Sequence, residues 1–200
     1  MSVSLNSHFQ GRKASVATSA FHVLAQSGLE GFTFRAVAAA SRCSLGRIVH
    51  YYPTKQELLL DAIQETGGAI LEEMDEIERR LPARDALEAV LSCALPISEA
   101  GREHWRVWTS CWTLASRDRE VGRFVDRRSR AWRARLTRLV TSATTREDVR
   151  DADAVSGLVT AGVTGVAMMA LRDGLAPDAQ IALLKGCLRP FEKEARAVSL

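Results

Sequence analysis

Apolar residues return every three or four positions along nearly the whole chain, the spacing of one helix face, and no sustained two-residue alternation marks a strand. The first helix spans about residues 12–27, with Val16, Ala17, Ala20, Phe21 and Leu24 inward and Gly28 as its stop. Thr33 caps a short second helix that turns Val37 and Ala38 to the core. Ser44 caps a third, Leu45–Tyr51, which Pro53 ends. A capping box, Thr54-Lys55-Gln56-Glu57, opens a fourth helix with Leu58, Leu59 and Ala62 on its apolar face. That helix is expected to run to about Arg80, with a bend at Gly67-Gly68.

Past the Leu81-Pro82 boundary a fifth helix repeats Leu87, Val90, Leu91, Ala94 and Leu95. A sixth follows Gly101, and a seventh, at about 119–142, turns Val121, Val125, Trp132, Leu136 and Leu139 inward. After the polar segment 144–151 come two more, about 152–172 and 178–197, split by Gly174 and Pro177, with Pro190 expected to kink or end the last. The pattern predicts an all-α chain of about nine helices, with a three-helix head over 1–55 and a helical body over 56–200.

A composition of 46% hydrophobic and 26% charged residues over 200 positions supports packed cores and excludes a disordered chain. The N-terminus lacks a charged-then-apolar leader pattern, and the nearest candidate for a membrane span, Leu158–Leu171, is short and broken by Thr and Gly. The expected location is therefore the cytoplasm, with no membrane partner. Cys43, Cys93, Cys111 and Cys187 are widely spaced and read as reduced, small apolar residues. Charge is uneven: residues 1–55 hold six Lys or Arg against Glu30 alone, whereas the remaining 145 hold 21 basic and 23 acidic residues. A basic head on a slightly acidic body suggests that the head meets a polyanion.

The densest signal is Thr33–Leu59, TFRAVAAASRCSLGRIVHYYPTKQELL. Two short capped helices a few residues apart, in the most basic part of the chain, make a helix-turn-helix. Its second helix keeps Ile48 and Tyr52 for the core, leaving Leu45, Gly46, Arg47, Val49, His50 and Tyr51 to face a groove. Gly46 inside a helix costs up to ~1 kcal/mol relative to Ala, offset by close approach of the backbone to DNA. Arg47 can pair with a guanine edge, and His50 and Tyr51 can hydrogen-bond phosphate or base. Lys55, at the start of the fourth helix, can grip a phosphate. With Thr33, Arg35 and Ser44 these form the candidate DNA-contacting set.

The same string resembles the DNA-binding signature of the TetR/AcrR family, matching at Thr33, Val37, Ala38, Ser44, Gly46, Ile48, Tyr51, Tyr52, Lys55 and Leu58. Phe21, Leu24 and Gly28 also fit the family's first helix, so the resemblance covers roughly the first 60 residues. Three positions depart: Arg42 stands where a turn glycine is usual, Val49 replaces a common Tyr, and Tyr52 replaces Phe. Arg42 must take up the turn geometry under strain, or the turn differs. The resemblance implies a homodimeric regulator of transcription on double-stranded DNA, a repressor released from a palindromic operator by a small-molecule effector of unknown identity. A ligand-independent or activating protein of the same fold is the alternative.

In the body, Glu72–Val140 more weakly resembles the C-terminal domain of choline-responsive (BetI-type) members, through its Trp-Arg-Val-Trp run and an Arg-Asp-x-Glu helix start. The choline ligand is not carried over on that match. Trp105, Trp108 and Trp112 form one helical stripe, read either as core packing or as the wall of an effector pocket. An aromatic cage would suit a quaternary ammonium, with Glu99, Glu103 or Asp126 as countercharge. Nine arginines between Arg117 and Arg138 read as a solvated face, with a second DNA-binding surface as the alternative.

In the last two helices, Leu158, Val159, Gly162, Val166, Met169, Ile181, Leu184, Leu188 and Phe191 form the candidate dimer interface, with an intramolecular core as the alternative. A two-fold reader on a palindrome favours the dimer. Catalysis is not expected: His8, His22, His50 and His104 have no metal spacing, and no nucleophile–base pair or phosphate-binding Gly loop occurs. No cofactor or metal is implied.

Overall fold

The computed structural model describes the backbone of residues 2–64, 68–143 and 152–197, and the side-chain surroundings of 11–64, 68, 70–143 and 152–187. The described residues form ten helices and no strand. They are α1 (Ser2–Gly31), α2 (Phe34–Ala40), α3 (Leu45–Tyr51), α4 (Lys55–Gln64), α5 (Gly68–Arg80), α6 (Ala83–Cys93), α7 (Glu99–Ala115), α8 (Arg119–Ala143), α9 (Ala152–Asp173) and α10 (Pro177–Ala197).

Three boundaries differ from expectation. Helix α1 begins ten residues earlier, at Ser2, and Gly28 kinks it instead of ending it, with φ 61° and ψ −168°. The single fourth helix is replaced by α4 and α5, and the residues between them, 65–67, lie outside the described residues. Helix α10 stays helical through Pro190, although proline removes one backbone bond there.

The chain divides into two compact units. The first comprises Met1–Gly67 and Glu103–Val125. One buried cluster unites it: Val16, Ala20, Val23 and Leu24 of α1, Phe32 before α2, Val37 of α2, Ile48 of α3 and Tyr52 at its end, Leu58, Leu59, Ala62 and Ile63 of α4, Val107 and Cys111 of α7, and Val121 and Phe124 of α8. Burial pushes the Cys111 thiol up to about 12, so it stays protonated and behaves as an apolar group.

The second unit comprises Gly68–Arg102 and Asp126–Leu200. Met74, Ala86, Val90 and Leu139 form a smaller buried cluster there, joined by Ile77, Leu87 and Trp132. The arginine run of α8 is only partly a solvated face. Arg135, 15% exposed, pairs with Asp75 and, at 3.0 Å, with Glu78 of α5, and Arg138 also reaches Glu78. Arg127, Arg130 and Arg133 remain exposed. Cys93 is pushed up to about 12, first by burial and then by the Glu73 carboxylate.

Helix α9 contains an 18-residue window of mean hydropathy 1.8, longer than the apolar segment expected from the sequence. By length and composition it would suffice to cross a bilayer, a test that core helices of bundles also pass. Ser156, Val159, Val163, Val166, Ala167 and Ala170 make up its buried side.

A Cβ at Gly28 would meet nothing within 4 Å, so the site demands glycine through its left-handed φ alone. Gly28→Ala is therefore expected to destabilise the chain by about 1–2 kcal/mol, lowering the melting temperature by several degrees. An unchanged melting temperature by circular dichroism would show that the kink relaxes away.

Candidate nucleic-acid interface

Helices α2 and α3 have seven residues each, too few to persist alone in water, so caps and burial must hold them. The Ala36 N–H donates to Thr33 Oγ1 at 3.1 Å, and the Arg47 N–H donates to Ser44 Oγ at 3.3 Å, so both expected caps form. Each helix is then pinned by its inner residues: Val37 and Ala38 in α2, Ile48 in α3, and Tyr52 just beyond. Tyr52 is 1% exposed and its hydroxyl donates to the Lys13 carbonyl of α1 at 3.3 Å, which gives the buried phenol a partner.

Burial of Ile48 and Tyr52 turns the rest of α3 outward. Leu45, Gly46, Arg47, Val49 and His50 are exposed, Leu45 and Val49 at 42% and 44%, and Tyr51 is half-buried beside His50. Thr33, Arg35, Ser44 and Lys55 are exposed as well. A Cβ on Gly46 would meet nothing within 4 Å, so packing within the chain does not require glycine there.

Helix α4 is tied in at its first turn. The Glu57 N–H donates to Thr54 Oγ1 at 3.2 Å, while the Thr54 hydroxyl donates to the Glu57 carboxylate. Gln56 Nε2 donates to Asp118 Oδ2 at 3.0 Å, and Asp118 Oδ1 in turn accepts the N–H groups of Glu120 and Val121 at the start of α8. Asp118 thus caps one helix and anchors the end of another beside Lys55. The Lys55 ammonium lies 5.8 Å from the centre of the Phe32 ring, and Lys13 pairs with Asp61 at 3.2 Å. The Arg-Asp-x-Glu helix start is visible in the sequence but this partnership is not, because Gln56 and Asp118 lie 62 residues apart.

Trp105 is 6% exposed, Trp108 half-buried and Trp112 37% exposed. Their rings meet edge to face: Trp105 with Trp112 at 6.1 Å, Trp108 with Trp112 at 5.8 Å, and Trp108 with Phe124 at 6.2 Å. His104 stacks on Trp108 at 6.4 Å. Two of the suggested countercharges have partners of their own: Glu103 binds His22 Nδ1 at 3.0 Å, and Glu99 binds Arg102 at 2.7 Å. Asp126 instead lines a groove of about 680 Å³ with Arg130, Arg133, Arg138, Thr137 and Asp153.

The candidate dimer residues fall on different sides of α9 and α10. Val159, Val166 and Leu184 are buried within the chain, and Gly162 and Ile181 are half-buried. A Cβ on Gly162 would come 3.4 Å from Cys187 of α10, so this glycine sits at a close helix contact inside the unit. Leu158 and Met169 are exposed at 59% and 42%, and with Ala161 and Gly165 they make one outer stripe of α9; Leu183 of α10 is exposed as well. The side chains of Leu188 and Phe191 lie outside the described residues.

Comparison with known proteins agrees with this architecture. Residues 17–62 match the model of bacterial regulatory proteins of the tetR family, and residues 83–189 match that of the C-terminal domain of BetI-type transcriptional repressors. The HTH-type transcriptional regulator PksA of Bacillus subtilis is 28% identical over 99 residues, which span 48% of each chain, so the match covers about half of that relative. A transcriptional regulator from Rhodococcus sp. Rha1 superposes with a TM-score of 0.80 at 26% identity, covering 92% of this chain and 97% of that one. A regulator from Saccharomonospora viridis in complex with choline has the same fold, with a TM-score of 0.82 at 18% identity over 90% of this chain and 96% of its own. With more than half of the chain matched by the BetI-type model and the tetR model on its head, the chain belongs to the TetR family of transcriptional regulators.

Proposed function

We propose that the chain is a homodimeric repressor whose two copies of α3 enter successive major grooves of a palindromic operator. The observation that carries this reading is the exposed face of Arg47, Gly46, Val49 and His50 on a helix whose opposite side is locked by Ile48 and Tyr52. Arg47 reads a base edge, while Lys55, Thr33, Arg35 and Ser44 hold the backbone on either side. The functional division is a DNA-binding head at 1–55 and an effector and dimer body at 56–200. The outer stripe Leu158, Ala161, Gly165 and Met169 supplies the surface on which a second copy packs, its small residues permitting close approach of the helices. The protein acts in the cytoplasm by binding, without a catalytic step.

The effector is a small molecule bound in the body. A quaternary ammonium is the first class to test, supported by the BetI-type match, by the choline held in the Saccharomonospora regulator, and by the aromatic group of Trp105, Trp108 and Trp112. An anionic effector is the second reading, favoured by the three arginines of the α8 groove.

Selection from genomic fragments with the purified protein, followed by salt-titrated shift assays, tests the reader. Arg47→Ala and Lys55→Ala are expected to lose the selected palindrome, Arg47→Ala with relaxed preference at one base position and Lys55→Ala uniformly across sequences. Binding that is independent of sequence and disappears with salt would defeat the repressor reading.

Gly46→Ala is expected to raise stability by up to about 1 kcal/mol, since alanine is the better helix former, yet to weaken operator binding at least tenfold because its methyl group faces the groove. Undiminished binding would show that the backbone of α3 does not approach DNA closely. Choline is expected to quench tryptophan fluorescence and release the operator, with the quench reduced in Trp112→Ala. Release by a dicarboxylate instead, abolished in Arg133→Ala, would select the groove.

A further inference from the structure

The turn between α2 and α3 contains a cation for which neither the fold nor the reading above has a use. Arg42 has φ 52°, the one non-glycine residue with positive φ among the described residues. The conformation follows from how α2 ends. The Cys43 N–H donates to the Ala38 carbonyl at 3.0 Å and the Arg42 N–H to the Ala39 carbonyl at 3.3 Å, while Ser41, still right-handed, donates to Val37 at 2.9 Å. This is the six-to-one and five-to-two pairing of a Schellman cap, in which the residue after the cap must turn left-handed and glycine is the unstrained choice. The turn must close in this way because it delivers Ser44 to cap α3.

An arginine therefore occupies a position that disfavours every side chain. No compensation for it is found among the described residues: Arg42 is exposed, and its guanidinium has no hydrogen bond or ion pair with any of them. Strain of this kind, held where nothing internal rewards it, points to a group that acts outside the fold. Outside the fold here means at the turn that leads into α3, two residues ahead of its Ser44 cap, in the segment where basic residues outnumber acidic ones six to one.

We propose that Arg42 grips a phosphate of the DNA backbone beside the groove that α3 enters, setting the depth and register of that helix without reading a base. The inference rests on the DNA-binding reading above. The planar, permanently charged guanidinium suits a phosphate in either of two orientations, and its anchor on a rigid cap limits the freedom lost on binding.

The test uses the full-length protein, the selected operator duplex and an unrelated duplex of equal length, with Arg42→Gly, Arg42→Gln and Arg47→Ala as variants. Arg42→Gly is expected to melt a few degrees higher, because it relieves the left-handed φ. It should bind both duplexes about five- to tenfold more weakly, with a log–log salt slope about one smaller per protomer. Arg42→Gln keeps the strain but not the charge and should show the same weaker, flatter binding without the rise in melting temperature. It also covers the case in which glycine alters the turn. Unchanged affinity and slope in both variants, with Arg47→Ala still losing the operator, would overturn the proposal alone. A loss confined to the operator would also overturn it, since Arg42 would then be reading sequence. If the wild-type protein prefers no site and Arg47→Ala changes nothing, the DNA-binding reading falls, and this proposal with it.

Discussion

Two seven-residue helices cannot hold their shape in water, and the function of the head depends on the orientation of one of them. The constraint that resolves this is the burial of Ile48 and Tyr52 in the cluster shared with α1, α2 and α4, where both fall to 1% exposure or less. Complete burial of two large side chains, one on α3 and one just past its end, fixes the rotation of α3 about its own axis and leaves no freedom over which residues face outward. The Tyr52 hydroxyl adds a directional link to α1 through the Lys13 carbonyl, and Lys13 itself is held by Asp61 of α4. Arg47 and His50 can be placed relative to a groove only because this inner side is rigid.

Much of the head was legible because its signals are local. An N-cap followed by a short apolar spacing predicts both the start and the inner face of a helix, and Thr33, Ser44 and Thr54 all accept the expected backbone donors. The strained turn at Arg42 was legible too, as a side chain where the turn calls for glycine. Contacts between distant residues were not. Nothing near Arg135 announces that Asp75 and Glu78 will neutralise it, and nothing near Gln56 announces Asp118. Nor does a helix boundary declare its packing: α7 and the first residues of α8 join the core of the N-terminal helices, a fact carried by Val107, Cys111, Val121 and Phe124 together and by none singly.

Helix α9 shows a different limit. Its apolar residues cover both sides, so periodicity identifies a helix that is to be buried without saying which side its own chain covers. Val159, Val163 and Val166 turn inward, while Leu158 and Met169 remain in solvent, although all five are apolar and spaced within the same few turns. The positions of α10, with Cys187 lying against Gly162, and of α8, whose Thr137 hydroxyl meets that of Ser156 at 3.0 Å, separate the inner side from the outer one. The proposed dimer surface is therefore the part of the helix that the fold leaves over.

The head also departs from what a chain optimised for stability would contain. Gly46 weakens α3 where alanine would fit, and Arg42 strains the turn where glycine would relax it, each by an amount on the order of 1 kcal/mol. The two departures are opposite in kind: one omits a side chain where the helix wants one, and the other keeps a side chain where the turn wants none. A general loosening of the head would not select these two exchanges, whereas the proposed contact with DNA accounts for both. Omission lets a backbone come close, and retention keeps an exposed cation at the turn that leads into the same helix. Net stability is a small difference between large terms, so two such losses are tolerable only where the surrounding core is complete. The cluster from Val16 to Phe124 supplies that margin, and its continuity through α7 and α8 is what allows the reading surface to be built from locally unfavourable choices.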